Sequence, residues 1–378
     1  MCYDSARVRI LIDYRPALRQ RTGVGEYVHG LSTALQARLS GPDSLAVFSS
    51  SWKDRLPVGA VPGARHVDAR VPVSVLNFAW HRLEWPPIEW FAGRVDVVHS
   101  LHPLMIPSRR AARVVTVHDL YFLDRPDATV REIRRDYAAL AADHVRRADG
   151  IVVISESTKQ QVVDRFQVEA DKVAVCLPAA PAWPRRDEPP EAGPILFIGT
   201  LEPRKNVPGL LRAYAELAAR RPDAPELVLA GRLPPEGIDG LIRQEPSIAR
   251  RVRATGYVSD AERQRLYREA SMVVVPSFDE GFGITALEAM TIGVPVVASR
   301  RGALPEVVGD AGVLVDIDEP GALSAAMQRV LASADIRRGL ADAGVRRAAR
   351  FTWETSAARL YDAYRAAVAR RTPAGEPV

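Results

Sequence analysis

The chain has 378 residues, 47% hydrophobic and 26% charged, which excludes a disordered polypeptide and suits two domains of about 150–200 residues each. No apolar run reaches the roughly 18–20 residues that span a bilayer, and two cysteines, Cys2 and Cys176, exclude a disulfide framework and point to a reducing, cytoplasmic setting. The formal net charge is +5, with most of the excess in the first half, as a solvated face, a phosphate-bearing partner or an anionic membrane surface would each explain.

In chain order, "MCYDSARVRILIDY" has an early acid and a short apolar run, so it reads as an opening strand rather than a secretion signal. The runs at 8–14, 45–50, 95–100, 113–119 and 150–155 are short, apolar and rich in valine and isoleucine. Such runs are buried parallel strands. Helical stretches lie between them, at 25–39 and at 131–149, the second with apolar residues near a 3.6 period. Ser157 and Gln160 have the spacing of a capping box at the start of another helix. Strand alternating with helix predicts a doubly wound parallel sheet.

The composition then shifts. Residues 177–194, "LPAAPAWPRRDEPPEAGP", hold six prolines in eighteen positions, the mark of a linker. Strands resume at 195–200, 226–231, 251–257, 272–277, 294–299 and 311–316, separated by helices that include 207–221 and 260–270. The expected organisation is a domain over 1–182, a second over 183–354, a terminal helix over 355–371 packing back on the first domain, and a flexible tail over 372–378. The fold class is α/β, with ligands outside the carboxyl ends of the strands.

Four motifs carry chemistry. "SFDEGFGITALEAM" (277–290) places Glu280 in a loop and Glu288 inside a helix. Gly281 and Gly283 clear side chains from the turn, and free amides at the helix start suit anions and oxygen-rich ligands. A carboxylate can grip a pair of sugar hydroxyls; acidic residues also favour a helix start for its dipole alone. "GTLEPRKN" (199–206) brings Arg204 and Lys205 to a strand–helix loop after Gly199, either to hold phosphate or as exposed cations. "TGVGEYVHG" (22–30) puts Gly23 and Gly25 before a helix like a phosphate-cradling turn, but Val28 stands where a dinucleotide motif needs its third glycine. His118 ends a strand in "VTVHDL", where ligands bind and where structural histidines also occur.

Three weaker signals are better explained by structure. "HSLH" (99–102) lacks a third metal ligand nearby, and "DID" (316–318) suits a strand end better than a metal–nucleotide site. Trp80, Trp85 and Trp90 could meet a sugar acceptor or a membrane interface, but packing in a core or between domains is the expectation.

Together these residues resemble the family 4 glycosyltransferases, which have the GT-B fold of two facing Rossmann-like domains with an interdomain cleft. The likeness runs from the glycine turn near 23 to the final helix, and its most specific part is the E-x7-E spacing of Glu280 and Glu288. It implies a retaining, metal-independent hexosyltransferase that needs no cofactor. Its donor would be a nucleotide diphosphate sugar, GDP-mannose before a UDP-sugar. Its acceptor would be a glycan, a lipid-linked sugar or a small-molecule hydroxyl, with peripheral contact at the inner membrane face and no nucleic acid.

By the same resemblance Glu288 meets the nucleotide's ribose and Glu280 the transferred sugar, beside the amides of Phe282, Gly283 and Ile284. Lys205 and Arg204 meet the diphosphate, with Gly23 and Gly25 approaching from the other domain. His118 lies near the sugar and its departing oxygen, and the base packs near Tyr257 and Val258. Thr200 follows Gly199 where some relatives carry an arginine, which leaves the phosphate charge to Arg204 and Lys205. The rival readings are a sugar-nucleotide epimerase or a phosphorylase on the same fold, or a non-catalytic nucleotide-sugar-binding subunit. A pyridoxal-dependent phosphorylase finds no obvious cofactor lysine among Lys53, Lys159, Lys172 and Lys205.

Overall fold

The computed structural model describes residues 7–18, 23–124, 137–188, 190, 192–233, 237–243 and 245–371. The expected strands form as short parallel elements because valine-rich runs with no polar face are stable only when covered on both sides. In the first unit these are β1 (Arg9–Asp13), β2 (Ser44–Ser49), β3 (Arg65–Asp68), β4 (Val97–Ser100), β5 (Ala112–Val117), β6 (Gly150–Val153) and β7 (Val173–Val175). They lie in the order β3-β2-β1-β4-β5-β6-β7, all parallel. The second unit has β8 (Ile195–Ile198), β9 (Leu227–Ala230), β10 (Val252–Gly256), β11 (Met272–Val275), β12 (Val296–Ser299) and β13 (Val313–Val315). Their order is β10-β9-β8-β11-β12-β13, again all parallel.

The order reverses beside the first strand of each sheet, between β1 and β4 and between β8 and β11. Loops leaving the carboxyl ends of such a pair diverge to opposite faces and open a crevice, the usual ligand site of this architecture.

The chain divides into residues 1–179 with 352–378, and residues 180–351. The junctions thus fall at 179/180 and 351/352, not after 182 and 354. The terminal helix, Trp353–Arg371, belongs to the first unit. Gly30 makes room for it: a Cβ there would lie 2.3 Å from the Trp353 ring. Tyr364 anchors its middle, its hydroxyl 2.6 Å from His99 Nδ1 in the core.

Several local expectations are corrected. The helix Glu156–Phe166 is capped by Ser155, whose hydroxyl accepts from the Thr158 amide, so Ser157 lies inside the helix. The helix expected at 131–149 is described over Tyr137–Arg147; residues 131–136, Cys2 and the expected flexible tail at 372–378 lie outside the described residues. The strands β3 and β7 were not expected. Trp80 is fully buried, but Trp85 and Trp90 are 50% and 59% exposed. They stack edge to face, 5.1 Å between ring centroids, on the surface of the first unit.

Candidate active site

In the second unit the reversal between β8 and β11 gathers the charged residues. After β8 the chain turns through Gly199 and a short 3-10 helix, Pro203–Lys205. This turn needs glycine twice. Gly199 and its neighbour Gly231 after β9 both have positive φ, and a Cβ on Gly231 would sit 1.9 Å from the Gly199 carbonyl oxygen. Asn206, in the left-handed region, then caps the Val207–Arg220 helix by accepting from the Gly209 amide. Its own amide group donates to Pro276 O, tying this loop to the one after β11.

That tie brings Arg204 and Lys205 to Glu280. Lys205 Nζ lies 2.6 Å from Glu280 Oε1 and Arg204 Nη1 lies 3.2 Å from Oε2. Ser277 Oγ donates to Oε1 at 2.7 Å. Arg204 also bonds Glu202 at 2.9 Å. Glu280 is 6% exposed. Burial alone would push its carboxyl up, but Lys205 and Arg204 outweigh that and hold it below the ordinary carboxylate range. The charge is therefore present at neutral pH, and two cations are pre-placed against it.

Glu288 lies on the Ile284–Ile292 helix and is also buried. Its Oε2 accepts from Tyr267 at 2.8 Å and its Oε1 pairs with Arg263 at 3.0 Å. Neither partner was foreseen. Both sit on the Asp260–Glu269 helix one turn apart, a spacing that shares a face. That helix follows β10, so its sequence neighbours give no hint of Glu288.

Gly283 caps the Ile284–Ile292 helix at φ 104°, with Leu304 occupying the space a Cβ would need. The backbone amides of Phe282, Gly283 and Ile284 have no acceptor among the described residues. The Phe282 side chain is buried against Phe351, so only its backbone is available to a ligand. Gly302 and Ala303 hold the loop from behind: the Ala303 amide donates to Glu280 O, and a Cβ on Gly302 would strike Glu280 backbone. Thr200 and Tyr257 are exposed after β8 and β10, with Val258 half-buried beside Tyr257.

The first unit places its expected residues separately. Gly23 caps the Val24–Arg38 helix at φ 52°, with Gly25 buried in the first turn. His118 follows β5, half-buried. Its Nε2–H donates to Leu101 O at 3.1 Å, which leaves Nδ1 as an acceptor, and burial lowers its pKa despite that carbonyl and Asp119. The crevice between β1 and β4 holds a group that the sequence did not reveal. Buried Asp13 takes a fork from Arg15, at 2.7 and 2.8 Å, and Arg15 lies 5.1 Å from the Trp80 ring centre.

The discounted motifs are accounted for. His99 is a core residue bonded to Tyr364 and to Thr116 Oγ1 at 2.8 Å. Asp316 and Asp318 both pair with Arg301.

The two halves of the chain match two family models, "Glycosyltransferase Family 4" over residues 21–180 and "Glycosyl transferases group 1" over residues 193–333. The O-antigen chain mannosyltransferase B of Escherichia coli is 32% identical over 285 residues, covering 71% of this chain and 74% of that protein. The chain belongs to glycosyltransferase family 4. A D-inositol 3-phosphate glycosyltransferase of a Nocardioides species is 30% identical, covering 93% of this family 4 chain and 87% of the relative. The fold is GT-B, with two Rossmann-like domains. A solved sucrose-phosphate synthase from Thermosynechococcus elongatus superposes with a TM-score of 0.74 at 22% identity, covering 95% of this chain and 98% of that one. WaaG, a glycosyltransferase of lipopolysaccharide biosynthesis, gives 0.68 at 16% identity, covering 94% and 99%.

Proposed function

We propose that this glycosyltransferase moves a hexose, mannose before others, from a nucleotide diphosphate sugar to a glycan, lipid-linked or small-molecule hydroxyl, with retention and without a metal or cofactor. It would serve cell-surface polysaccharide or glycoconjugate synthesis in the cytoplasm. The observation that carries this reading is the pairing of Lys205 and Arg204 with buried Glu280 at the reversal between β8 and β11. The name of the E. coli relative favours mannose.

Breaking the anomeric bond puts charge on the diphosphate. Fixed cations and amides aimed at that charge lower the barrier because they are already oriented. Lys205, Arg204 and the amides of Gly283 and Ile284 fill this role. The diphosphate replaces Glu280 as partner of the cations, and the freed carboxylate accepts from sugar hydroxyls. Glu288 takes the ribose diol and Tyr257 offers a face to the base, with Val258, Gly199 and Thr200 lining its approach. In the first domain Gly23 and Gly25 leave backbone free for phosphate, and neutral His118 offers Nδ1 to a sugar hydroxyl.

The acceptor oxygen attacks the anomeric carbon from the side of the departing diphosphate. Its proton passes to a phosphate oxygen as the old C–O bond breaks through an oxocarbenium-like state. Calorimetric titration of GDP, UDP and their sugars, with chelator present, tests the reading. One nucleotide series should bind tightly to the wild type, and Lys205→Ala should weaken it about 10- to 100-fold, as for loss of a charged hydrogen bond. Binding that requires a metal, or that ignores Lys205, would overturn it.

Peripheral membrane contact belongs to the same reading. No described helix is long and apolar enough to cross a membrane. Trp85 and Trp90 stand exposed with Phe78 and Leu83. Exposed Arg109 and Arg110 adjoin them, because both backbone amides donate to Glu89, next to Trp90. Aromatic rings beside arginines suit the headgroup layer of an anionic bilayer.

A further inference from the structure

We infer that Arg263, Tyr267 and the linker residue Trp183 form a clamp that positions Glu288 for the vicinal diol of the donor's ribose, and so sets the enzyme's preference for ribo- over 2′-deoxyribonucleotides. The inference rests on the placement of Glu288 at the ribose proposed above.

A carboxylate side chain has three torsions, and a diol is gripped well only if both oxygens face it. Here each oxygen is held by a different group. Tyr267 is fully buried, and its hydroxyl fixes Oε2. Burial, then the charge of Glu288, raises the phenol well above its ordinary pKa, so it remains a donor at any working pH. Arg263 fixes Oε1 through Nη1, while its Nη2 pairs with Asp260 at 3.2 Å. A carboxylate has about four lone-pair sites, so an oxygen that takes a bond from Tyr267 or Arg263 can also accept from a ribose hydroxyl.

Arg263 is in turn held by Trp183. Its guanidinium carbon lies 5.1 Å from the Trp183 ring centre, and Trp183 packs on Tyr267 with centroids 5.9 Å apart. A guanidinium stacked on indole loses little freedom when it bonds a carboxylate. The proline-rich segment therefore does more than connect. It supplies the aromatic wall that keeps the clamp in one geometry. All three are positioning residues, since they act on Glu288 and not on the reacting atoms.

The test compares GDP with 2′-deoxy-GDP, and UDP with 2′-deoxy-UDP, by calorimetry on wild type, Arg263→Gln, Tyr267→Phe and Trp183→Ala. The wild type should bind the ribonucleotide at least about tenfold tighter than its deoxy form, as for one hydrogen bond to a charged group. In each variant that ratio should fall to about threefold or less, because the ribonucleotide loses more than the deoxy form, which has only the 3′-hydroxyl to lose. Arg263→Lys should recover part of the ratio. Tyr267→Phe keeps the buried ring and decides the matter if another variant fails to fold. A wild type with no ribose preference would overturn the placement of Glu288 itself. A wild-type preference that survives in the variants, or equal weakening of both ligands, would overturn the clamp alone.

Discussion

Replacing Glu280 by glutamine separates the two duties assigned to this residue. The amide keeps the size of the side chain and one acceptor for Ser277, but it removes the negative charge that Lys205 meets at 2.6 Å and Arg204 at 3.2 Å. The two cations have side chains only 13% and 14% exposed. Breaking one partner out of a buried pair costs about 3–5 kcal/mol, because the remaining charge is left in a poor solvent. Glu202 still holds Arg204, so the lower end, about 3 kcal/mol, is expected for Glu280→Gln without ligand. A nucleoside diphosphate restores the missing charge. Thermal unfolding should therefore show a lower midpoint for the variant alone and a smaller gap in saturating GDP or UDP, whichever binds. The dissociation constant of that nucleotide should be unchanged or tighter, since it no longer displaces a carboxylate from Lys205. Turnover of the nucleotide sugar should fall by about 2–4 kcal/mol of transition-state binding, roughly 30- to 1,000-fold. Normal turnover with weakened nucleotide binding would refute both the counter-ion argument and the sugar contact.

Acid should destabilise the first domain through His99. Burial pushes its pKa down to about 3, so the folded state binds fewer protons than the unfolded chain between pH 3 and 6.5. Its contribution is complete above pH 6.5 and is lost as pH falls, by about 2 kcal/mol at pH 5. His81 and His102, pushed down to about 3 and about 4, act in the same direction. Urea unfolding at pH 7.5 and pH 5 checks this, and equal stabilities would contradict it. Gly231→Ala should cost about 2–4 kcal/mol in the same assay, because its Cβ would enter the Gly199 carbonyl and neither backbone can retreat without opening the β8–β9 pairing; a change under about 0.5 kcal/mol would show that the turn yields. For the aromatic patch, the double variant Trp85→Ser/Trp90→Ser should abolish sedimentation with vesicles containing anionic lipid, and added salt should weaken wild-type sedimentation. Wild-type protein that ignores such vesicles would remove the membrane contact.

The central strands were legible because burial on both faces leaves an unbroken apolar run, as in "RVVTV" and "MVVV". The two missed strands sit at the edges of the first sheet. An edge strand is half covered, so β3 reads "RHVD" and β7 is only "VAV", with no run to detect. The glutamates and cations of the site were legible for a similar reason. They lie in loops that must carry glycine and proline to turn at a strand end, and those residues punctuate the sequence. Arg263, Tyr267 and Trp183 were not legible. Each has an ordinary role where it stands, on a polar helix or in the proline-rich segment; the crossover from β10 to β11 brings Arg263 and Tyr267 to Glu288, and Trp183 packs on those two. The tryptophans failed in the opposite way. Spacing could not tell Trp80, whose Nε1 donates to Pro86 O inside the core, from Trp85 and Trp90 at the surface.

The two glutamates also differ in how they are held, and the difference matches their proposed work. Glu280 is held by cationic side chains, and an incoming diphosphate can compete for both. Its environment is suited to exchange: the anion that occupies the site in the free protein gives way to the anion of the substrate. Glu288 is held by a buried phenol that stays protonated and by an arginine fixed between Asp260 and Trp183. Neither partner is one that a substrate anion must displace. A residue that must change partners during binding is thus paired with charges. One that must present an unchanging surface is paired with a neutral donor and a stacked cation. Exchanging these environments, for example by a lysine in place of Tyr267, should cost ribose selectivity even though the charge on Glu288 would be better neutralised, because a flexible ammonium fixes no direction.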